Sequence, residues 1–238
     1  MKTIKQQGHL AGLLWLLSAA TGGWGMSYIR SNIIVPGDAA ATAAHLVSSE
    51  SLFRAAIVSG LLSQVLLLFF GLALFRLFKD VHRSTAIVLL TSIIITVAIA
   101  VANTLNLFAA LTVLSPADYL KVFASEQLNA IAMVFLRLNN SLGQALVEMF
   151  WAPYFFAFGL LIIKSRFLPR IIGFLLMIMS AGYAINVFTK FLVPQFYPAT
   201  FTTLAMALGA LGGLPAMFWL LIRGAKEQPL EQSALLSH

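Results

Sequence analysis

The 238-residue chain contains no cysteine, so disulfides, thiolate metal sites and thiol nucleophiles are excluded. Histidine is scarce as well. His9, His45, His82 and His238 all fall in termini or between apolar runs, so no two share a helix face, and neither a histidine-held metal nor any other cofactor is expected. Charge is equally thin, at 10% of residues against 60% hydrophobic. So little polar residue cannot cover a soluble globule, which makes lipid the solvent.

Long apolar runs take the place of what is missing. A helix rises about 1.5 Å per residue and bilayer hydrocarbon is about 30 Å thick, so roughly 20 apolar residues make one crossing. Six segments meet that length, at residues 10–29, 52–78, 86–114, 143–163, 171–192 and 199–222. None alternates apolar and polar residues as an outer-membrane strand would. The expected fold class is all-α: a polytopic membrane protein with a bundle of six transmembrane helices forming one domain over residues 1–223, followed by a polar tail at 224–238.

The basic residues occupy alternate gaps. Lys2 and Lys5, then Arg76, Lys79 and Arg83, then Lys164, Arg166 and Arg170, and finally Arg223 and Lys226 collect on one side; Arg30, Arg54, Lys121, Arg137 and Lys190 remain for the other. The richer side is cytoplasmic by the positive-inside rule, which puts both termini in the cytoplasm. The leading apolar stretch, with Lys2 and Lys5 before it, resembles a secretory signal, but keeping it as a span gives the even number of crossings that the charges require. The net charge of +7 is thus a topology signal. No soluble basic element exists to bind nucleic acid, so the expected partners are membrane lipid and a small-molecule or lipid-like ligand. Oligomeric state has no sequence signal.

Two of the outer connections are long. In the first, Pro36-Gly37-Asp38 predicts a turn and a cap ahead of an Ala-rich helix over residues 39–46. In the second, Ser115-Pro116 predicts the start of a short helix, and Ser125-Glu126-Gln127 the cap of an amphipathic one running toward Leu138. Such helices either lie among the headgroups or roof the bundle.

Polar residues inside the spans mark where a site belongs. Asn140, Gln144 and Glu148 recur at four-residue spacing and so stack on one helix face, with Arg137 outward of them and Trp151 and Phe155 deeper. With hydrocarbon beginning near Ser141, Glu148 lies about 10 Å below the outer surface, where a carboxylate must be paired, hydrated or protonated. Neighbouring spans offer Arg54, Ser59, Ser63 and Gln64; Asn103 and Asn106; and Tyr183, Asn186 and Lys190. The candidate ligand-binding set is Glu148, Gln144, Asn140, Arg54, Asn103, Asn106, Tyr183, Asn186 and Lys190, in an outward-facing polar cavity with Arg54 or Lys190 as counter-charge. The competing reading is a helix-packing network, since Asn, Gln and Ser commonly bond between membrane helices.

Three functions fit these residues. One is binding of a small or amphiphilic ligand around Glu148; another is a membrane enzyme with Glu148 as general acid or base; the third is a proton-coupled secondary transporter, for which no internal repeat is apparent. Other features read more simply. Gly209 and Gly213, like Gly22, Gly23 and Gly25, suit close helix packing, and Pro153 and Pro215 suit kinks. Trp24, Tyr28, Trp151, Phe196, Tyr197 and Trp219 suit an interfacial belt. Ser141 has no nucleophile motif around it.

Several stretches together resemble the DUF4386 family of bacterial membrane proteins. They are Ala11-Gly12-Leu13-Leu14, Thr21-Gly22-Gly23, Tyr28-Ile29-Arg30-Ser31, Val35-Pro36-Gly37-Asp38 with the Ala-rich run after it, Leu52-Phe53-Arg54, Ala117-Asp118-Tyr119-Leu120, Lys164-Ser165, and Phe167-Leu168-Pro169-Arg170 with Gly173. The resemblance implies a protein of the bacterial cytoplasmic (inner) membrane and carries no activity with it. Relatives of this kind often have histidine just before the fourth span, where this chain has Asn139, Asn140 and Ser141.

Overall fold

The structure is a computed structural model that describes residues 3–193 and 199–226. Phe196 and Tyr197, and the tail from Glu227 to His238, lie outside the described residues. Among those described, every regular element is helical. Nine α-helices follow in order: α1 Ile4–Tyr28, α2 Ala39–Ser48, α3 Glu50–Phe78, α4 Arg83–Asn103, α5 Leu105–Val113, α6 Ser125–Leu138, α7 Gln144–Ser165, α8 Arg170–Leu192 and α9 Ala199–Arg223. Two π-helical turns, Ile29–Ile33 and Asn139–Gly143, follow α1 and join α6 to α7.

Four helical runs among the described residues are long and apolar enough to cross a membrane: Glu50–Phe78, Arg83–Val113, Ser125–Ser165 and Arg170–Leu192. Their exposed faces say what surrounds them. On α8, Ile171, Phe174, Ile178, Ile185, Phe188 and Leu192 are exposed at helical spacing. The opposite face buries Ile172, Leu176, Met179 and Val187. A helix apolar on both faces packs on protein with one and meets lipid with the other.

The 41-residue run Ser125–Ser165 would measure about 60 Å if straight. A single crossing needs about half of that. Correspondingly, α6 packs against α2 and α5, and is no isolated helix lying on a surface.

The chain forms two compact units. The first comprises the described parts of residues 1–16, 68–95 and 148–238; the second comprises residues 17–67 and 96–147.

In the first unit, α7 and α8 run antiparallel at very close range. A Cβ on Gly159 would meet the carbonyl of Gly173, and a Cβ on Gly173 would meet that of Gly159. Further along, Ser180 Oγ donates to the Ala152 carbonyl at 2.7 Å. Pro153 beside it has no N–H, which leaves the Met149 carbonyl without its helical donor. An aromatic core fills the unit, with Phe158 in contact with Trp15, Phe70, Phe78 and Tyr154. α1 and α9 meet where Gly12 faces the Leu220 to Leu221 backbone and Gly8 faces Ala225. His9 Nδ1 bonds the Leu221 carbonyl at 2.9 Å and the Lys226 amide bonds the Phe167 carbonyl at 3.1 Å. The start of α1, the end of α9 and the α7–α8 link therefore share one end of this unit.

In the second unit, α1 and α3 are joined by reciprocal serine bonds. Ser18 Oγ donates to the Ser63 carbonyl at 3.0 Å and Ser63 Oγ to the Ser18 carbonyl at 2.8 Å. Gly22 makes room for the Ser63 side chain and Gly25 for the Ala56 carbonyl. Among the described residues nothing lies against Gly23. A core built from Ile33, Leu46, Phe53, Ile57, Leu111 and Leu136 ties the two connecting helices α2 and α6 to α3 and α5.

Local chemistry around the connections follows expectation in one case and departs from it in two. Pro36-Gly37-Asp38 makes the predicted turn, with Gly37 at φ +83° and the Asp38 amide bonded to the Val35 carbonyl at 3.2 Å. The Asp38 carboxylate then caps α2 by accepting from the Ala41 amide at 2.8 Å. The helix expected from Ser115-Pro116 is only a 3₁₀ turn, Asp118–Leu120. The cap of α6 is Ala124, whose amide donates to Gln127 Oε1 at 2.9 Å. Ser125 is the first helical residue, so only the glutamine half of a capping box is made.

Candidate functional site

Glu148 begins the part of α7 that belongs to the first unit, and Asn186 of α8 is placed opposite it by the antiparallel approach at Gly159 and Gly173. Asn186 is buried, and its Nδ2 donates to Glu148 Oε2 at 2.9 Å. Tyr183 stands one turn earlier on α8. Its ring stands perpendicular to Trp151, with centroids 5.0 Å apart, and stacks on Phe155 at 5.8 Å. A half-buried carboxylate oriented by an amide and bordered by aromatic rings is thus assembled from α7 and α8. Lys190, a turn beyond Asn186, is half-buried and belongs to the same helix.

The remaining candidates gather in the second unit. Asn103 and Asn139 exchange bonds, each side-chain amide donating to the other's backbone carbonyl at 3.0 Å. Asn106 Nδ2 donates to Asn103 Oδ1 at 3.0 Å, across the break at Thr104 between α4 and α5. Arg30, on the first π turn, donates through Nε to Asn140 Oδ1 on the second at 2.8 Å. Arg54 pairs with Glu50 on its own helix, at 2.7 Å and with both side chains about half exposed. Gln144 opens α7 one turn before Glu148.

The even stack expected from Asn140 through Gln144 to Glu148 is interrupted. The π turn at Asn139–Gly143 inserts a residue, which rotates the following face by about 100° relative to a continuous α-helix. Asn140 consequently bonds Arg30 while Glu148 bonds Asn186. Nothing in the sequence marks Arg30 or Asn139 as members of these networks. The Glu50–Arg54 pair carries a local signal in its four-residue spacing, and Asn103 and Asn106 carry one in their three-residue spacing.

Among the described residues no three acidic or histidine side chains are grouped to hold a metal. The chemistry on offer is one carboxylate, amide donors, phenols and ring faces. A family model described as a domain of unknown function, DUF4386, matches residues 10–224. The chain belongs to the DUF4386 family. No curated protein and no solved structure matches it. Membership covers all the described helices apart from the first residues of α1, so the Glu148 site and the Asn103 network both lie within the DUF4386 domain.

Proposed function

We propose that this DUF4386 protein binds a small or amphiphilic ligand around Glu148, in a polar pocket facing the outer side of a bacterial inner membrane. The observation that carries the reading is the Asn186 to Glu148 bond flanked by Tyr183, Trp151 and Phe155. A bundle held only by packing has no need of a carboxylate at membrane depth, because an amide or an apolar residue fills the position without the ionic desolvation cost. Ligand sites, by contrast, are concave, mostly apolar and aromatic, with a few convergent polar groups.

The membrane placement is six crossings, formed by α1, α3, α4 with α5, α7, α8 and α9, with both termini cytoplasmic. Support comes from the shared end of α1, α9 and the α7–α8 link, where Lys5, Lys164, Arg166, Arg170, Arg223 and Lys226 collect. Arg223 and Lys226 also lie over the Trp219 ring, at 4.8 and 5.7 Å, as residues at a membrane boundary do.

The test is Glu148→Leu. The variant is expected to purify folded and monodisperse while losing a small molecule that co-purifies with the wild-type protein. Failure to fold would make the Glu148 to Asn186 pair a packing contact instead, since removing one partner strands the other.

A further inference from the structure

Where α1 starts and α9 finishes, the first unit gathers positive charge on a fixed backbone. Past Arg223 the chain turns at Gly224, which takes φ +67° and whose amide bonds the Leu220 carbonyl at 3.0 Å. A Cβ there would strike the Lys5 carbonyl and crowd Lys5 Cγ and His9 Cδ2, so glycine is what lets α1 lie this close. The His9 Nδ1 bond to the Leu221 carbonyl and the Lys226 amide bond to the Phe167 carbonyl pin both sides of the turn. Packing therefore places the side chains it carries. Arg223 and Lys226 share the Trp219 ring, at 4.8 and 5.7 Å from its centroid, and Lys5 stands against Gly224, which lies between them in the sequence.

Two cations on one indole repel each other. Among the described residues no carboxylate pairs with Arg223, Lys226 or Lys5; the ion pairs there are Glu50 with Arg54 and Asp118 with Lys121. An anion beside the ring would turn that repulsion into attraction. Next to the charges the surface is apolar. Ile222 is 70% exposed, Phe218 one turn back on α9 is 46% exposed, and Ile4 at the start of α1 is 37% exposed. Exposed apolar side chains beside cations suit an amphiphilic anion, with its charge on the basic group and its hydrocarbon along the helix. A free anion would use the charges and leave Ile222 and Phe218 bare.

We propose that Lys5, Arg223 and Lys226, with the Trp219 ring, form a binding site for the phosphate of an anionic phospholipid whose acyl chains lie along Phe218 and Ile222. The site is separate from Glu148 and goes beyond the reading given for it; it needs only that α9 reach the membrane surface at its Arg223 end. Topological charge acts through number, whereas this site acts through placement.

The experiment is native mass spectrometry of the full chain in detergent, titrated with palmitoyl-oleoyl phosphatidylglycerol, with the phosphatidylcholine of the same chains, or with glycerol phosphate. Wild type is expected to take up one phosphatidylglycerol in preference to either other probe. Arg223→Gln with Lys226→Gln should weaken that adduct about thirtyfold, the usual worth of two basic residues at an anionic surface. Trp219→Leu keeps the net charge and should still weaken it about threefold, because the cations lose the ring that positions them. Lys79→Gln with Arg83→Gln removes the same charge around the α3–α4 link and should leave the adduct unchanged. These lysines and arginines are all exposed, so both double variants are expected to fold even if Trp219→Leu does not. Equal loss in the two double variants would reduce the site to diffuse surface charge and overturn it. Equal uptake of phosphatidylcholine would overturn the anionic class, and uptake of glycerol phosphate at the lipid's affinity would make the ligand a free phosphate.

Discussion

Gly143 lies directly against the side-chain amide of Asn103, so close that a Cβ at position 143 would overlap it. The glycine ends the π turn at Asn139–Gly143, and the amide it admits is the one that bonds Asn139 and Asn106. Gly143→Ala must displace Asn103 and break part of that network. The expected cost is about 2 kcal/mol, combining overpacking with lost hydrogen bonds. Thermal unfolding in nanodiscs reads it directly, and a variant as stable as wild type would show that the network yields without cost.

The reciprocal approach of Gly159 and Gly173 sets the spacing of α7 and α8 and hence the register of Glu148 against Asn186. Gly173→Val is therefore expected to lower stability by about 1–3 kcal/mol. It should also reduce retention of any ligand held at Glu148. A stable variant with normal retention would separate the glycine contact from the site.

The serine pair should behave differently. Ser18 and Ser63 exchange bonds between α1 and α3, yet interhelical hydrogen bonds in membrane proteins are worth only about 0.6 kcal/mol on average. Ser18→Ala combined with Ser63→Ala is expected to cost about 1 kcal/mol, well below Gly143→Ala. The ranking of the two melting temperatures is the check.

Topology is open to a clean experiment because the chain has no cysteine. Asp80→Cys, in the α3–α4 link, is expected to escape an impermeant maleimide added to intact cells. Val122→Cys, at a residue 80% exposed, is expected to react. The reverse pattern would invert the assigned orientation.

Much of the fold was legible because single spans and caps are local properties. The apolar runs, the Gly37 turn and the Asp38 cap each depend on residues within a few positions. The departures have an equally physical cause. A π turn needs no residue that distinguishes it from α-helix, so the rotation between Asn140 and Glu148 left no mark in the spacing. Gly8, Gly12, Gly159 and Gly173 owe their meaning to backbones far away in sequence, as does the Arg30 to Asn140 bond. The burial of the Tyr154 hydroxyl without a hydrogen-bond partner among the described residues is visible only once the helices are packed. Glu148 and Asn186, which bond each other, both stand out in the sequence as polar residues within apolar runs.

The most direct test of the Glu148 site is native mass spectrometry of the detergent-purified protein beside Glu148→Gln, with lipidomic identification of whatever each retains. Glutamine keeps the shape and can still accept a bond from Asn186 while removing the charge. A discrete adduct on the wild type that is missing from Glu148→Gln is the predicted result. Bare protein in both, or the same mixture of lipids in both, would contradict it and leave the Glu148 to Asn186 bond as a contact between helices.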